Sequence, residues 1–169
     1  MTARHLFIIY GLDVLIVLLA IGAAATANVE RTQEPFPRLQ LLMPGLLALV
    51  GSMILLSYPD IRDLADPGVW LVSSVGLAAG GWRGARMRMD SDHTLRSVRL
   101  WHGRDAAWAA WVMVLFATVQ GSIETALRVE NPYEKTAEAV MLLSGGYLLG
   151  RSIVGWLRAR TMPHHDLKG

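Results

Sequence analysis

The chain of 169 residues has no cysteine. Disulfides, thiolate metal ligands, covalent haem attachment and dithiol redox chemistry within the chain are thereby excluded. Charge is scarce as well. Asp, Glu, Lys and Arg make up only 18% of the residues, against about 25% in an average soluble domain. The deficit is uneven: charges are missing from long blocks and crowd the gaps between them. The sequence also lacks a Gly-x-Ser-x-Gly elbow, a His-Glu-x-x-His zinc motif and a phosphate-binding glycine loop. None of His5, His93, His102, His164 and His165 lies in an apolar block. A haem held by two histidines within a bilayer is therefore disfavoured, and no cofactor is expected. His164-His165-Asp166 reads as a polar tail rather than a metal site.

What the sequence does have is hydrophobic residues, 53% of the total. They form five blocks, 6–27, 39–57, 68–82, 106–127 and 137–157. Four of these run to about 20 residues, the length a helix needs to cross a hydrocarbon core. Within lipid a helix satisfies every backbone polar group internally. The third block is shorter. Pro67 is placed to begin a helix there, and Arg83 and Arg86 can snorkel toward an interface. The fold expected is an all-α integral membrane protein forming one domain. It is a five-helix bundle, or four helices if the third block is re-entrant. The small-residue end of the first block, Ala25-Thr26-Ala27, resembles a signal-peptide cleavage site. The length of that block and the presence of Asp13 favour a retained membrane helix instead.

Orientation follows from basic residues outside the blocks. Eleven lysines and arginines fall on one side and four on the other. The positive-inside rule then puts the 83–104 segment and the C-terminus in the cytoplasm, whether or not the third block spans. The same rule explains the sequence pI of 9.3 without nucleic acid, for which no recognition pattern is present. Trp82, Trp108 and Trp156 near the inner block ends, and Trp70 near an outer one, suit headgroup anchoring.

Between Arg83 and Arg104 the periodicity changes. Arg86-Met87-Arg88-Met89 and Leu95-Arg96-Ser97-Val98-Arg99-Leu100 partly alternate around the turn-rich Asp90-Ser91-Asp92-His93-Thr94. This pattern predicts a small cytoplasmic β-hairpin. A glycine-rich helix ending Gly76-Leu77-Ala78-Ala79-Gly80-Gly81-Trp82-Arg83-Gly84, then a basic hairpin with aspartates at its turn, then another hydrophobic helix, resembles the CcdC-like bacterial membrane proteins. The resemblance covers about residues 68–120. It implies a bacterial cytoplasmic-membrane fold and a genomic neighbourhood near cytochrome c biogenesis, not an activity.

Two groups of residues stand out as candidate sites. Gly76, Gly80 and Gly84 share one helix face, and Gly146 and Gly150 repeat the spacing, so each face admits a close helix backbone. That neighbour is either another helix of the same chain or a second copy. Asp13, Glu124, Glu138 and Arg151 are ionisable residues within or at the rim of apolar blocks. Each costs about 2.5–3.5 kcal/mol at a helix centre. The three carboxylates fall in the outer half and could line a polar pocket or sit in wet headgroup territory. Arg151 lies toward the inner end, where snorkelling would account for it. The function expected is a non-enzymatic membrane component, an accessory or assembly factor of a larger complex. A small transporter or sensor using the outer carboxylates is the alternative. The partners expected are the lipid bilayer and either other membrane proteins or a homo-oligomer.

Overall fold

The computed structural model describes residues 3–32, 34–56, 67–91, 97–101, 103–127 and 134–161, with 3–10, 121–127 and 134 described by backbone only. It is mostly helical. Five α-helices carry the described chain: α1 Ala3–Val29, α2 Met43–Leu56, α3 Pro67–Arg86, α4 Arg104–Leu127 and α5 Glu134–Thr161. Three segments, Gly11–Val29, Arg38–Leu56 and Lys135–Thr161, are long and apolar enough to cross a membrane. The second segment opens with a 3-10 helix over Arg38–Leu42 that leads into α2. α3 begins at Pro67, continues through Arg83 to Arg86 and reaches 20 residues. That is about 30 Å of helix, longer than its apolar block alone.

α5 is central and packs against α2, α3 and α4. Two seams of small residues bring the helices together. In the first, Ala20, Ala23, Ala24 and Ala27 of α1 are buried in one core with Ala106, Ala107, Ala110, Met113 and Ala117 of α4. Their spacing puts them on one face of each helix, and short side chains let the two axes approach. Polar residues in α1 stay satisfied locally: Thr26 Oγ1 donates to the carbonyls of Gly22 and Ala23 at 2.9 and 3.0 Å.

The second seam joins α3 to α5 and is tighter still. A Cβ at Gly76 or Gly80 would run into the carbonyl oxygen of Leu143 or Tyr147. One at Gly84 would come within 2.8 Å of the Arg151 carbonyl oxygen. From the other side, a Cβ at Gly146 would lie 2.6 Å from the Ser73 carbonyl oxygen, and one at Gly150 would strike that of Leu77. The two glycine faces are therefore occupied by each other, within one chain.

The segment between α3 and α4 forms strands β2 Met89–Ser91 and β3 Ser97–Leu100, paired antiparallel with Met89 opposite Leu100. The turn at 92–96 lies outside the described residues. A third strand, β1 Phe36–Pro37, pairs with the other edge of β3, giving the order β1-β3-β2. The expected hairpin is thus part of a three-stranded sheet. Pro37 has no N–H to donate, which suits its place on an edge strand. Alternation buries Met89, Val98 and Leu100, which form a second small core with Phe36, Leu41, Met87 and Ala159. Arg158 Nη1 donates to the carbonyls of Gly84 and Met87 at 3.0 and 2.9 Å, satisfying acceptors that the end of α3 leaves open.

A buried ion cluster as candidate functional site

Where the sheet meets the bundle, four ionisable side chains from four segments converge. Arg151 sits on α5, three turns before that helix ends, and is only 1% exposed. Its Nη1 lies 2.7 Å from Glu30 Oε2, and its Nε donates to Asp105 Oδ2 at 3.1 Å. Arg83 Nε and Tyr147 Oη donate to the same Asp105 oxygen, each at 2.9 Å. Two guanidiniums face two carboxylates, so the cluster is neutral when all four groups are ionised. Arg83 is the most open member and Glu30 is fully enclosed.

Each member is delivered by a local feature. α1 ends in a turn in which the N–H groups of Arg31 and Thr32 donate to the carbonyls of Asn28 and Val29. Glu30 rides in that turn. Against it lies Gly103, where a Cβ would stand 2.6 Å from the Glu30 carbonyl oxygen and 2.9 Å from its Cβ. Only a glycine lets the chain leading into α4 press so closely. Asp105 occupies the first turn of α4, where the helix dipole also favours a negative charge. Tyr147 and Arg151 are one turn apart on α5, where its backbone meets the α3 glycines.

Environment separates the two carboxylates. Burial pushes the Glu30 carboxyl above the usual glutamate range. The pull of Arg151 opposes this without cancelling it, and the Asp105 charge adds to the rise. Its Oε1 has no hydrogen-bond partner among the described residues, so the ionised form is undercompensated. Burial also acts on Asp105, but there the Arg151 charge, the Arg83 and Tyr147 hydrogen bonds and the Arg83 charge outweigh it. The Asp105 carboxyl is held below the ordinary aspartate value.

This geometry corrects the snorkelling account of Arg151. The side chain does not reach out to an interface; it turns inward and is enclosed by two acids. Burying such a charge unpaired is prohibitive, and pairing it twice is what makes the position tenable. Of the other ionisable candidates, Asp13 and Glu138 are half-buried on α1 and α5, and both are engaged in further interactions. Glu124 lies on α4, but its side chain is outside the described residues. The structure does not bring Asp13 or Glu138 to Arg151. His93, His102, His164 and His165 lie outside the described residues, and His5 is described by backbone only. No group of three or more His, Cys, Asp or Glu able to hold a metal occurs among the described residues.

Sequence reasoning passed over Glu30, Asp105, Tyr147 and Gly103, and read Arg83 as snorkelling where the structure pairs it with Asp105. A signal was present. Glu30 and Asp105 flank the first and fourth apolar blocks, at the ends to which Arg151 is nearer. No known protein-family model, curated protein or solved structure matches the chain.

Proposed function

We propose that this chain is a multi-pass protein of the bacterial cytoplasmic membrane, with the sheet and the C-terminus on the cytoplasmic side. In this reading it is non-enzymatic and serves as an accessory or assembly component of a larger membrane complex, akin to the CcdC-like proteins. The observation that carries the reading is the ion cluster. The most costly polar groups in the described molecule are matched with one another and tie α1, α3, α4 and α5 together at one end. A cluster so balanced serves as a structural clamp. Along the helices it joins, Trp70, Leu71, Val75 and Trp82 of α3 and Trp108, Trp111 and Leu115 of α4 are exposed. These are apolar surfaces that lipid or a neighbouring membrane helix would cover.

The test is purification of the chain from its native membrane in mild detergent. A stoichiometric membrane partner, lost when the sheet is altered at Val98 or Leu100 while the chain remains folded, supports the assembly reading. A reporter joined at Thr94 should be active only on the cytoplasmic side. The alternative is a small transporter or sensor, and it is favoured by the half-buried, engaged Asp13. A lone chain whose cellular activity disappears with Asp13→Asn, at unchanged size and stability, would replace the first reading with that one.

A further inference from the structure

A second cluster of charge at the sheet end has no acid in it among the described residues. Trp156, about one and a half turns from the end of α5, is half-buried and packs on the core of Phe36, Leu41, Met87, Met89 and Val98. Two guanidiniums lie over its ring: Arg160 with Cζ 3.9 Å from the ring centroid, and Arg38 at 5.4 Å. Arg160 reaches it from one turn further along α5. Arg38 reaches it from the first residue of the 3-10 helix, directly after β1. The 3-10 helix that carries Arg38 packs against α5, so the sheet and α5 together hold the two guanidiniums over the ring.

Arg38 and Arg160 lie over the same indole ring, two like charges on one aromatic base. Neither has a carboxylate within ion-pair distance among the described residues. A cation over a half-buried indole gains about 0.5–2 kcal/mol, and that contact does not use the in-plane N–H donors. The Nε of Arg38 is buried and makes no hydrogen bond. The arrangement is thus two planar donor forks on an aromatic base, with excess positive charge and no acceptor among the described residues. It contrasts with Arg151, for which the fold supplies two acids.

We propose that Arg38 and Arg160, held over Trp156, form a binding site for a phosphate-bearing anion. Guanidinium forks match phosphate oxygens bidentately. In the membrane reading given above, on which the lipid source of the anion rests, the site stands at the level of the inner headgroups. There anionic phospholipids supply phosphodiesters at high local concentration. The free source with the same chemistry is a soluble phosphate.

The experiment is native mass spectrometry of the full chain purified in a neutral detergent. The probes are dioctanoyl phosphatidylglycerol, dioctanoyl phosphatidylcholine and inorganic phosphate. One phosphatidylglycerol should be retained per chain in preference to phosphatidylcholine. Arg38→Gln and Arg160→Gln should each weaken that retention by about tenfold, the worth of one charge-assisted contact. Arg88→Gln, on an exposed arginine outside the pair, should leave it unchanged. Circular dichroism of each variant checks that the fold persists. Retention of inorganic phosphate with the same dependence on Arg38 and Arg160, and no preference for phosphatidylglycerol, upholds the site and assigns it a soluble ligand. Equal binding of all probes, or binding indifferent to both substitutions in folded variants, overturns it. Failure of the membrane reading is seen separately: the chain would be extracted without detergent, and the phosphate arm is then run in plain buffer.

Discussion

At the sheet end of the bundle, Glu30, Arg83, Asp105 and Arg151 meet within hydrogen-bond distance. At the far end, Asp13 and Glu138 sit half-buried on separate helices. Asp13 is about 25 Å along α1 from Glu30, and Glu138 about 20 Å along α5 from Arg151, at 1.5 Å per residue. The sheet end also has the cation–π pair of Arg86 over Trp82 at 4.0 Å and the Arg38–Trp156–Arg160 group. Among the described residues, one end concentrates charge and neutralises most of it internally, while the other holds single acids on its apolar helices. Concentration makes the difference. A buried charge is tolerable where several segments can each bring a partner, and the sheet end is where the chain reverses most often.

The largest expected effect tests that contrast directly. Arg151→Ala strips the buried Glu30 and the half-buried Asp105 of their shared cation and should lower stability by about 3–5 kcal/mol, read as a melting shift in detergent. The double change Arg151→Met with Glu30→Met should recover much of that loss, since an apolar pair replaces a buried ionic one at little net cost. If the single variant melts like the parent, the cluster is not the clamp described.

Next comes the glycine seam that carries Arg151 toward α3. Gly80→Ala places a methyl against the Tyr147 carbonyl and should destabilise by about 1–3 kcal/mol, the usual range for overpacking. Gly80→Leu should separate α3 from α5 altogether. By contrast Gly11→Ala meets open space and should be silent. Equal melting of the Gly80 and Gly11 alanine variants would contradict the seam.

The third effect is in pH. Glu30 is raised, so on acidification the folded protein takes up a proton there before the unfolded chain does. That gain in stability begins above the ordinary glutamate value. Asp105 is lowered, so its contribution is present above the ordinary aspartate value and is lost as pH falls through its lowered one. Carboxyl infrared bands should thus appear in sequence, Glu30 first and Asp105 last. Subtraction of Glu30→Gln and Asp105→Asn spectra identifies them, and simultaneous appearance would refute the separation. The smallest effect should be at the far end. Asp13→Asn keeps the shape and removes one charge, and stability should change by less than about 1 kcal/mol.

Local pattern made part of this legible. The four-residue glycine spacing marked the faces that meet in the seam, Pro67 marked the start of α3, and alternation over 97–100 marked β3. Long-range pairing was not legible. Arg151 in its apolar run looked like a residue seeking the surface, because its acids lie far off in sequence and just outside neighbouring apolar blocks. Strand β1 escaped notice for a different reason: two residues, one a proline, are too few to show a period. Gly103 carries no motif at all; its need for a missing side chain exists only because Glu30 lies against it.

The principal packing partner of α3 is α5, and that arrangement has a consequence in time. Ribosomes deliver α3 long before α5. Until the last helix arrives, the glycine groove stands open, Arg83 lacks its finished counter-charge network, and Glu30 waits beside Asp105 without Arg151. Nascent chains released after Leu127 would hold two acids side by side and a helix with no seat. Completion of α5 is therefore the event that closes the bundle, and quality-control proteases should discriminate sharply between chains on either side of it.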